Sequence, residues 1–290
     1  MTKTIKFDDE NLTNFDLLLD FLPVMEPTIP DAYRWSFALR LKVYKMQTAY
    51  RDVFQQIPVW YADHNEQQKK GYGSSKEGNI LALRYETFLH TVYSLCESLS
   101  RITVRFYSDL PHNFGKQKNE LLGRKRSTDP EYAAILESVT WFDEVRAIRS
   151  EATHFLSGFI TISKNGEPGY FNTPKSGRNE ALEEISKDSI ERHIIEIFNG
   201  IDVFLRQFGD HFIQKIDSDK KIVKPCLLNG EKFMGAREFT LNDIRNKKPG
   251  ICHLPQYQCP IRHLCDAFKA TPSPVQEKDE NVESSKMKSM

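Results

Sequence analysis

Between Leu81 and Phe106 apolar residues recur in alternating steps of four and three: Leu81, Tyr85, Phe88, Val92, Leu95, Leu99, Ile102 and Phe106. A helix turns about 100° per residue, so this spacing draws one apolar stripe, the a/d seam of a helix packed on other helices. A strand, with its period of two, would scatter the same residues over both faces. The chain must therefore supply partner helices, and it does. Behind Asp31, placed as an N-cap, the residues Trp35, Leu39, Val43, Met46, Tyr50 and Phe54 share a face. They predict a helix of about 25 residues that stops before Pro58. Asp129 as N-cap and Pro130 at the first helical position open a third helix. Its seam is Ile135, Val139, Phe142, Val145, Ile148, Ala152 and Phe155, and Ser157–Gly158 ends it. A fourth begins near Asp188, with Glu191 as a capping-box-like partner, and buries Ile190, Ile194, Ile197, Ile201, Phe204, Phe208 and Phe212. Residues 9–22 suggest a short helix of their own.

Between these helices lie a polar Gly/Ser-containing loop after Pro58, a basic loop from Gly115 to Asp129, and a polar loop over residues 172–187. Asn165–Gly166 separates two short runs, Phe159–Ser163 and Glu167–Phe171, and reads as a hairpin with a type I′ turn. Pro168 lacks an N–H and assigns the return strand to a sheet edge. From Lys215 onward short runs, cysteines, Gly and Pro suggest an irregular module, followed by an apolar-poor tail expected to be disordered. The expected architecture is all-α: a helical bundle with one small β-hairpin and a short irregular Cys-containing C-terminal module. Its parts are an N-terminal helical region (1–77), the bundle (78–215), the module (216–270) and the tail (271–290).

Composition narrows the function. The 290 residues carry a formal net charge of +0, which excludes a globally basic nucleic-acid binder and leaves room for local basic patches. No apolar run of about 18 residues is present, so no membrane span is expected. The N-terminal residues lack the apolar core of a signal peptide. Five cysteines, crowded toward one end, do not form the pattern of a secreted disulfide scaffold. A cytoplasmic protein is expected.

The chemistry-bearing stretch is Trp141–Phe159, with Arg149 and His154 as candidate catalytic residues. A base that takes the ribose 2′-hydroxyl proton lets that oxygen attack the neighbouring phosphorus, and an acid protonates the leaving 5′-oxygen. Histidine can do either near neutral pH. Arginine's planar fork matches phosphate oxygens and meets the charge that builds in the transition state. Five residues along a helix span about 500°, so the two side chains leave it roughly 140° apart. Arg149 falls at the edge of the apolar stripe and His154 on the far side. Convergence on one phosphate then needs a bend between them or a two-fold dimer with a composite site. Three similar spacings occur, Arg84/His90, Arg105/His112 and Arg206/His211. Arg149/His154 differs in its small polar spacers, its helix C-terminus and the hairpin that follows. Lys116, Arg124, Lys125 and Arg126 are candidates for a substrate-binding basic patch facing a phosphate backbone, or else a solvated loop.

The stretch Arg149-Ser-Glu-Ala-Thr-His154, on the helix that follows a long heptad helix, resembles the HEPN superfamily over about residues 78–215. Its hallmark is an Arg, four to six residues, then a His, in a helical bundle. The resemblance implies a metal-independent endoribonuclease of bacterial defence or toxin systems, acting on RNA as a homodimer. Arg149 would bind the phosphate and His154 would be the acid/base. Position 150 is Ser where Asn is often seen, and Leu156 stands where some HEPN toxins carry a Tyr. Some HEPN domains are not nucleases, so a non-catalytic binding and dimerisation module is the alternative reading. Arg149 in a bundle salt bridge with Glu144 or Glu151, and His154 as a capping charge, is the purely structural one.

Cys226, Cys252, Cys259 and Cys265 are candidate ligands for a structural zinc or iron–sulfur cluster, near His253 and His263. Their intervals of 25, six and five residues contain no C-x-x-C knuckle, and ordinary reduced thiols are the other reading. A third functional possibility is a metal-stabilised nucleic-acid-binding protein in which this module does the recognition. No cofactor is expected for catalysis.

Overall fold

A computed structural model describes residues 2–4, 13–25, 31–73, 75–154, 157–172, 185–229, 232–252 and 265–271. The protein is mostly helical with two small sheets. It divides into a unit of residues 12–216 and a second of residues 1–11 with 217–290.

In the larger unit, α1 (Asn14–Phe21) starts with a capping box between Thr13 and Asp16. It lies on α7 (Ile190–Ile213) at Gly209, where a Cβ would stand 2.2 Å from the Phe15 backbone nitrogen. α2 (Ala32–Lys70) and α3 (Lys76–Phe106) run antiparallel. Gln56 donates to Glu77, Arg84 donates to the Asp52 carbonyl and Lys42 to the Ser94 carbonyl, so the two chains are read in opposite directions. The two helices belong to one unit with the rest of the bundle, and no boundary falls at residue 77. The predicted seams of α3 and α7 are buried: Tyr85, Phe88, Val92 and Leu99 of α3 and Phe204, Phe208 and Phe212 of α7 are at most 1% exposed. In α2, by contrast, Leu39 and Met46 are buried and Trp35, Val43, Tyr50 and Phe54 are half-buried. Phe208 and Phe212 meet Tyr132 edge to face, while Phe114 meets Phe142 with ring centres 4.6 Å apart.

Several expectations are corrected. α2 does not stop at Pro58. Losing one N–H is offset because Ile57 and Trp60 on either side are buried, and packing outweighs the local penalty. The helix ends instead at Gly71, whose φ of 72° suits a glycine cap. Asp31 takes φ 61° and its side chain makes no cap hydrogen bond. The basic loop contains a helix, α4 (Phe114–Leu122), capped by Asn113, because Phe114 and Leu121 give it a buried face. The helix predicted from Pro130 is two: α5 (Pro130–Glu137), capped by Asp129 as expected, and α6 (Trp141–His154). The break leaves the Val139 carbonyl without a helical partner, and buried Lys118 donates to it at 2.7 Å. Ser189, rather than Asp188, caps α7.

After α6 comes a three-stranded antiparallel sheet, β2 (Phe159–Ile162), β3 (Pro168–Asn172) and β4 (Ile185–Lys187), with β3 in the middle. β4 falls in the stretch expected to be polar loop. Pro168 is tolerated in a central strand because it is the first residue, beyond the segment paired to β4. The turn is not type I′. Gly166 alone in it has positive φ (77°), and its N–H bonds the Ser163 carbonyl, a tight turn closed by a left-handed glycine.

The second unit is not irregular. β1 (Thr2–Thr4), β5 (Lys221–Asn229), β6 (Lys232–Thr240) and β7 (Ile251–Cys252) form an antiparallel sheet in the order β1-β5-β6-β7. Lys221, Ile222, Val223 and Lys224 alternate as a strand does, and Thr240 with Asp243 builds a capping box for α8 (Leu241–Arg245). α9 (Asp266–Ala270) follows Cys265. The predicted disordered tail, Thr271 apart, and the seam residue Phe155 lie outside the described residues. No helix among the described residues is long and apolar enough to cross a membrane.

Candidate functional site

α6 is positioned by Phe142, Val145 and Ile148, all fully buried, which leaves Arg149 half-buried at the rim. Its guanidinium lies over the Tyr93 ring, 4.8 Å from the centroid. Such a contact holds a cation flat without neutralising it. The Arg149 Nε is buried and has no hydrogen-bond partner. His154, the last residue of α6, is exposed. The pair therefore parts as helical geometry demands.

The histidine that reaches the Arg149 end of α6 is His90, on α3. Thr153 Oγ1 lies 2.8 Å from the Arg149 carbonyl and 3.2 Å from His90 Nε2. The hydroxyl gives its one hydrogen to the carbonyl, so its oxygen accepts from His90 Nε2–H, and Nδ1 is the basic nitrogen. Burial pushes the His90 pKa down, the nearby Arg149 charge pushes it further, and Glu86 opposes both. His90 also lines a cavity of about 250 Å³ between α2 and α3, together with Lys42, Lys45, Thr87, Thr91 and Ser94.

Beneath this rim two polar networks join α3 to the small sheet, α6 and α7. Buried Glu86 accepts from the Tyr170 hydroxyl and the Gly158 N–H, both at 2.8 Å. A Cβ at Gly158 would overlap the Tyr170 ring, so glycine permits the contact. His193 is 4% exposed, with Nδ1 2.6 Å from the Tyr85 hydroxyl and Nε2 3.0 Å from Glu144. Glu144 is shared with Lys187. Burial and the Lys187 charge push His193 down to about 3, so it is neutral, with Nε2–H donating to Glu144 and Nδ1 accepting from Tyr85.

The other predicted site residues are dispersed. Arg124 pairs with Glu120, Lys125 with Asp109 and Arg126 with Glu137, while Lys116 is exposed on α4. The patch carries partnered charges at three of its four positions, which reduces its pull on a phosphate backbone. Two of the other Arg–His spacings, Arg84/His90 and Arg206/His211, are split. Arg84 bonds the Asp52 carbonyl, Arg206 pairs with Asp202, and His211 is buried against Asp129. Glu144, one candidate partner for Arg149, is committed to His193 and Lys187.

Cys252 and Cys265 both meet Arg237. Cys252 is its register partner across β6–β7, and Cys265 Sγ is 3.5 Å from Arg237 Nη2. Cys226 is in β5, its side chain not described, and Cys259, His253 and His263 lie outside the described residues. Among the described residues no group of three His, Cys, Asp or Glu could hold a metal. Cys96 is buried in α3, and burial pushes its thiol far up, so it is unreactive.

In the sequence His90 stands out only as the second half of the Arg84/His90 spacing. The signal that could have found it was the polar series Thr87, His90, Thr91, Ser94, which follows helical spacing beside the apolar seam. No known family model matches the chain, and comparisons with curated proteins and with solved structures give no significant match.

Proposed function

We propose that this protein is an endoribonuclease of HEPN type, cutting RNA by attack of the ribose 2′-hydroxyl on the adjacent phosphorus. A histidine takes the 2′-hydroxyl proton, the phosphorus–5′-oxygen bond breaks, a proton returns to the 5′-oxygen, and a 2′,3′-cyclic phosphate remains. Arg149 holds the phosphate and His154 is the acid/base. The observation that carries this reading is Arg149 itself: a guanidinium held over Tyr93, with an unpartnered buried Nε, at a helix end rimmed by His90 and Thr153. A buried donor without a partner costs free energy that a phosphate oxygen would recover.

Arg149 and His154 diverge on one helix, so the reading requires a homodimer. A surface suited to a second copy runs along α2, where Tyr33, Phe37, Leu41 and Tyr44 are 41–67% exposed on the face opposite Leu39, Met46 and Val53. In EDTA, wild type should leave cyclic-phosphate ends, and Arg149→Ala and His154→Ala should each cut at least about 100-fold more slowly. Sedimentation should give the mass of a dimer. Failure of wild type to cut any RNA sinks the nuclease reading. It would leave the non-catalytic binding and dimerisation module, which the divergence of Arg149 and His154 within one chain favours.

The second unit is read as structural support. Cys226, Cys252, Cys259 and Cys265 are proposed ligands of a zinc ion or iron–sulfur cluster, on their sequence clustering and the approach of Cys252 and Cys265 to Arg237. Purified protein should then carry bound metal that Cys265→Ser loses. Protein equally metal-free in both forms overturns it.

A further inference from the structure

We propose that the cavity between α2 and α3, walled by Lys42, Lys45, His90, Thr91 and Ser94, binds the phosphate and adjoining ribose of a ribonucleotide. That the nucleotide belongs to an RNA substrate rests on the function proposed above; the binding site itself does not.

The cavity holds more positive charge than its own acids answer. Lys42 donates to the Ser94 carbonyl at 2.9 Å and the Ser94 hydroxyl at 2.7 Å, which leaves one of its three N–H donors. Lys45, one turn along α2, is exposed. Nearby acids are turned to other work. One Glu97 oxygen accepts from the Asn113 side chain at 2.9 Å and the Phe114 N–H at 3.3 Å, and Glu86 is held by Tyr170 and Gly158. Lys42 is pushed down first by burial and then by Arg101, Glu97 pulls the other way, and Lys45 adds the least. His90 faces Lys42 and Lys45 across the cavity, Glu86 on its own helix and Arg149 and Thr153 on α6. An anion in the cavity relieves the strain on both groups.

The hydroxyls add the second half. Thr87 and Thr91 give their hydrogens to the Leu83 and Phe88 carbonyls, both at 2.7 Å, so their oxygens face a ligand as acceptors. Cationic donors beside hydroxyl acceptors match a phosphate joined to a sugar that carries hydroxyl groups. His90 joins this cavity to Arg149 through Thr153, so one strand could be held at both places.

The test uses the full chain with its histidine rings labelled for NMR. Inorganic phosphate should shift the His90 resonances and raise its pKa. Lys45→Ala, at an exposed position, and His90→Gln should each weaken phosphate binding roughly five- to tenfold, while Lys69→Ala, exposed at the far end of α2, should leave it unchanged. A ribonucleoside 3′-monophosphate should bind more tightly than its 2′-deoxy counterpart. Phosphate that leaves His90 unmoved, or binds Lys45→Ala as it binds wild type, overturns the site; equal affinity for the ribo and deoxy ligands overturns its sugar half. Phosphate binding by a protein that cuts no RNA keeps the site and removes only the nuclease.

Discussion

Asp129→Ala should lower the stability of the helical unit by about 3–5 kcal/mol. Asp129 is 5% exposed and gathers four groups around one carboxylate. Oδ1 accepts the Tyr132 N–H at 2.9 Å, capping α5. Oδ2 accepts from the Tyr107 hydroxyl and from His211 Nε2 at 2.7 Å, with Lys215 at 3.4 Å. Burial alone would raise its pKa. The hydrogen bonds from Tyr107, Tyr132 and His211 outweigh it and hold the carboxyl below its ordinary range. Loss of the cap costs about 1 kcal/mol. The larger part comes from His211, left buried with an unmade hydrogen bond, with a smaller share from the half-buried Tyr107 hydroxyl. Urea unfolding should show a lower midpoint at unchanged slope. A shift under about 1 kcal/mol would mean that water reaches the site and replaces the carboxylate.

Acid should weaken the fold through His193, by roughly 2–3 kcal/mol between pH 6 and pH 4. The direction follows from proton counts. In the unfolded chain His193 titrates near its ordinary value; in the folded chain it is pushed down to about 3. Between those values the unfolded state binds a proton that the folded state refuses, so stability falls as pH falls, by up to about 1.4 kcal/mol per pH unit. The groups facing the ring are Tyr85 from α3, Glu144 from α6 and Lys187 from β4. Glu144 would draw a proton to the ring, but Lys187 claims the same carboxylate. Carboxylates elsewhere also respond to acid, so the comparison is with His193→Gln, which cannot titrate. Its stability should decline less steeply over this range. Parallel pH profiles would show that the folded imidazole takes its proton freely.

The order α2, α3, the α5–α6 region and α7 was legible because apolar periodicity is a local record of which face is buried. Leu81 to Phe106 and Ile190 to Phe212 carry that record without interruption. The Asp129–Pro130 start and the hairpin were legible for the same reason, since caps and turns are written in neighbouring residues. Where local signals weigh against packing, the reading went astray. Pro58 argues for an end, yet Ile57 and Trp60 carry the helix through it. Strand β4 pairs with β3 across a long intervening segment and β1 with β5 across most of the chain, and no short window records such pairs. β5 and β6, by contrast, are sequence neighbours whose local Asn229–Gly230 signal was passed over.

By itself the sequence determined a helical protein with a hairpin after α6, and it placed Arg149 and His154 on opposite sides of one helix, because both follow from residue spacing and helical pitch. Only the tertiary structure decided which histidine meets the arginine end of α6. Thr153 and His90 are 63 residues apart, and their contact exists because the α3 and α6 seams are buried together. The same packing set Lys42 and Lys45 across from His90 and turned Glu86 away to Tyr170. Charge and donor geometry at a site built across helices are settled by which faces pack, and spacing along one helix does not contain them.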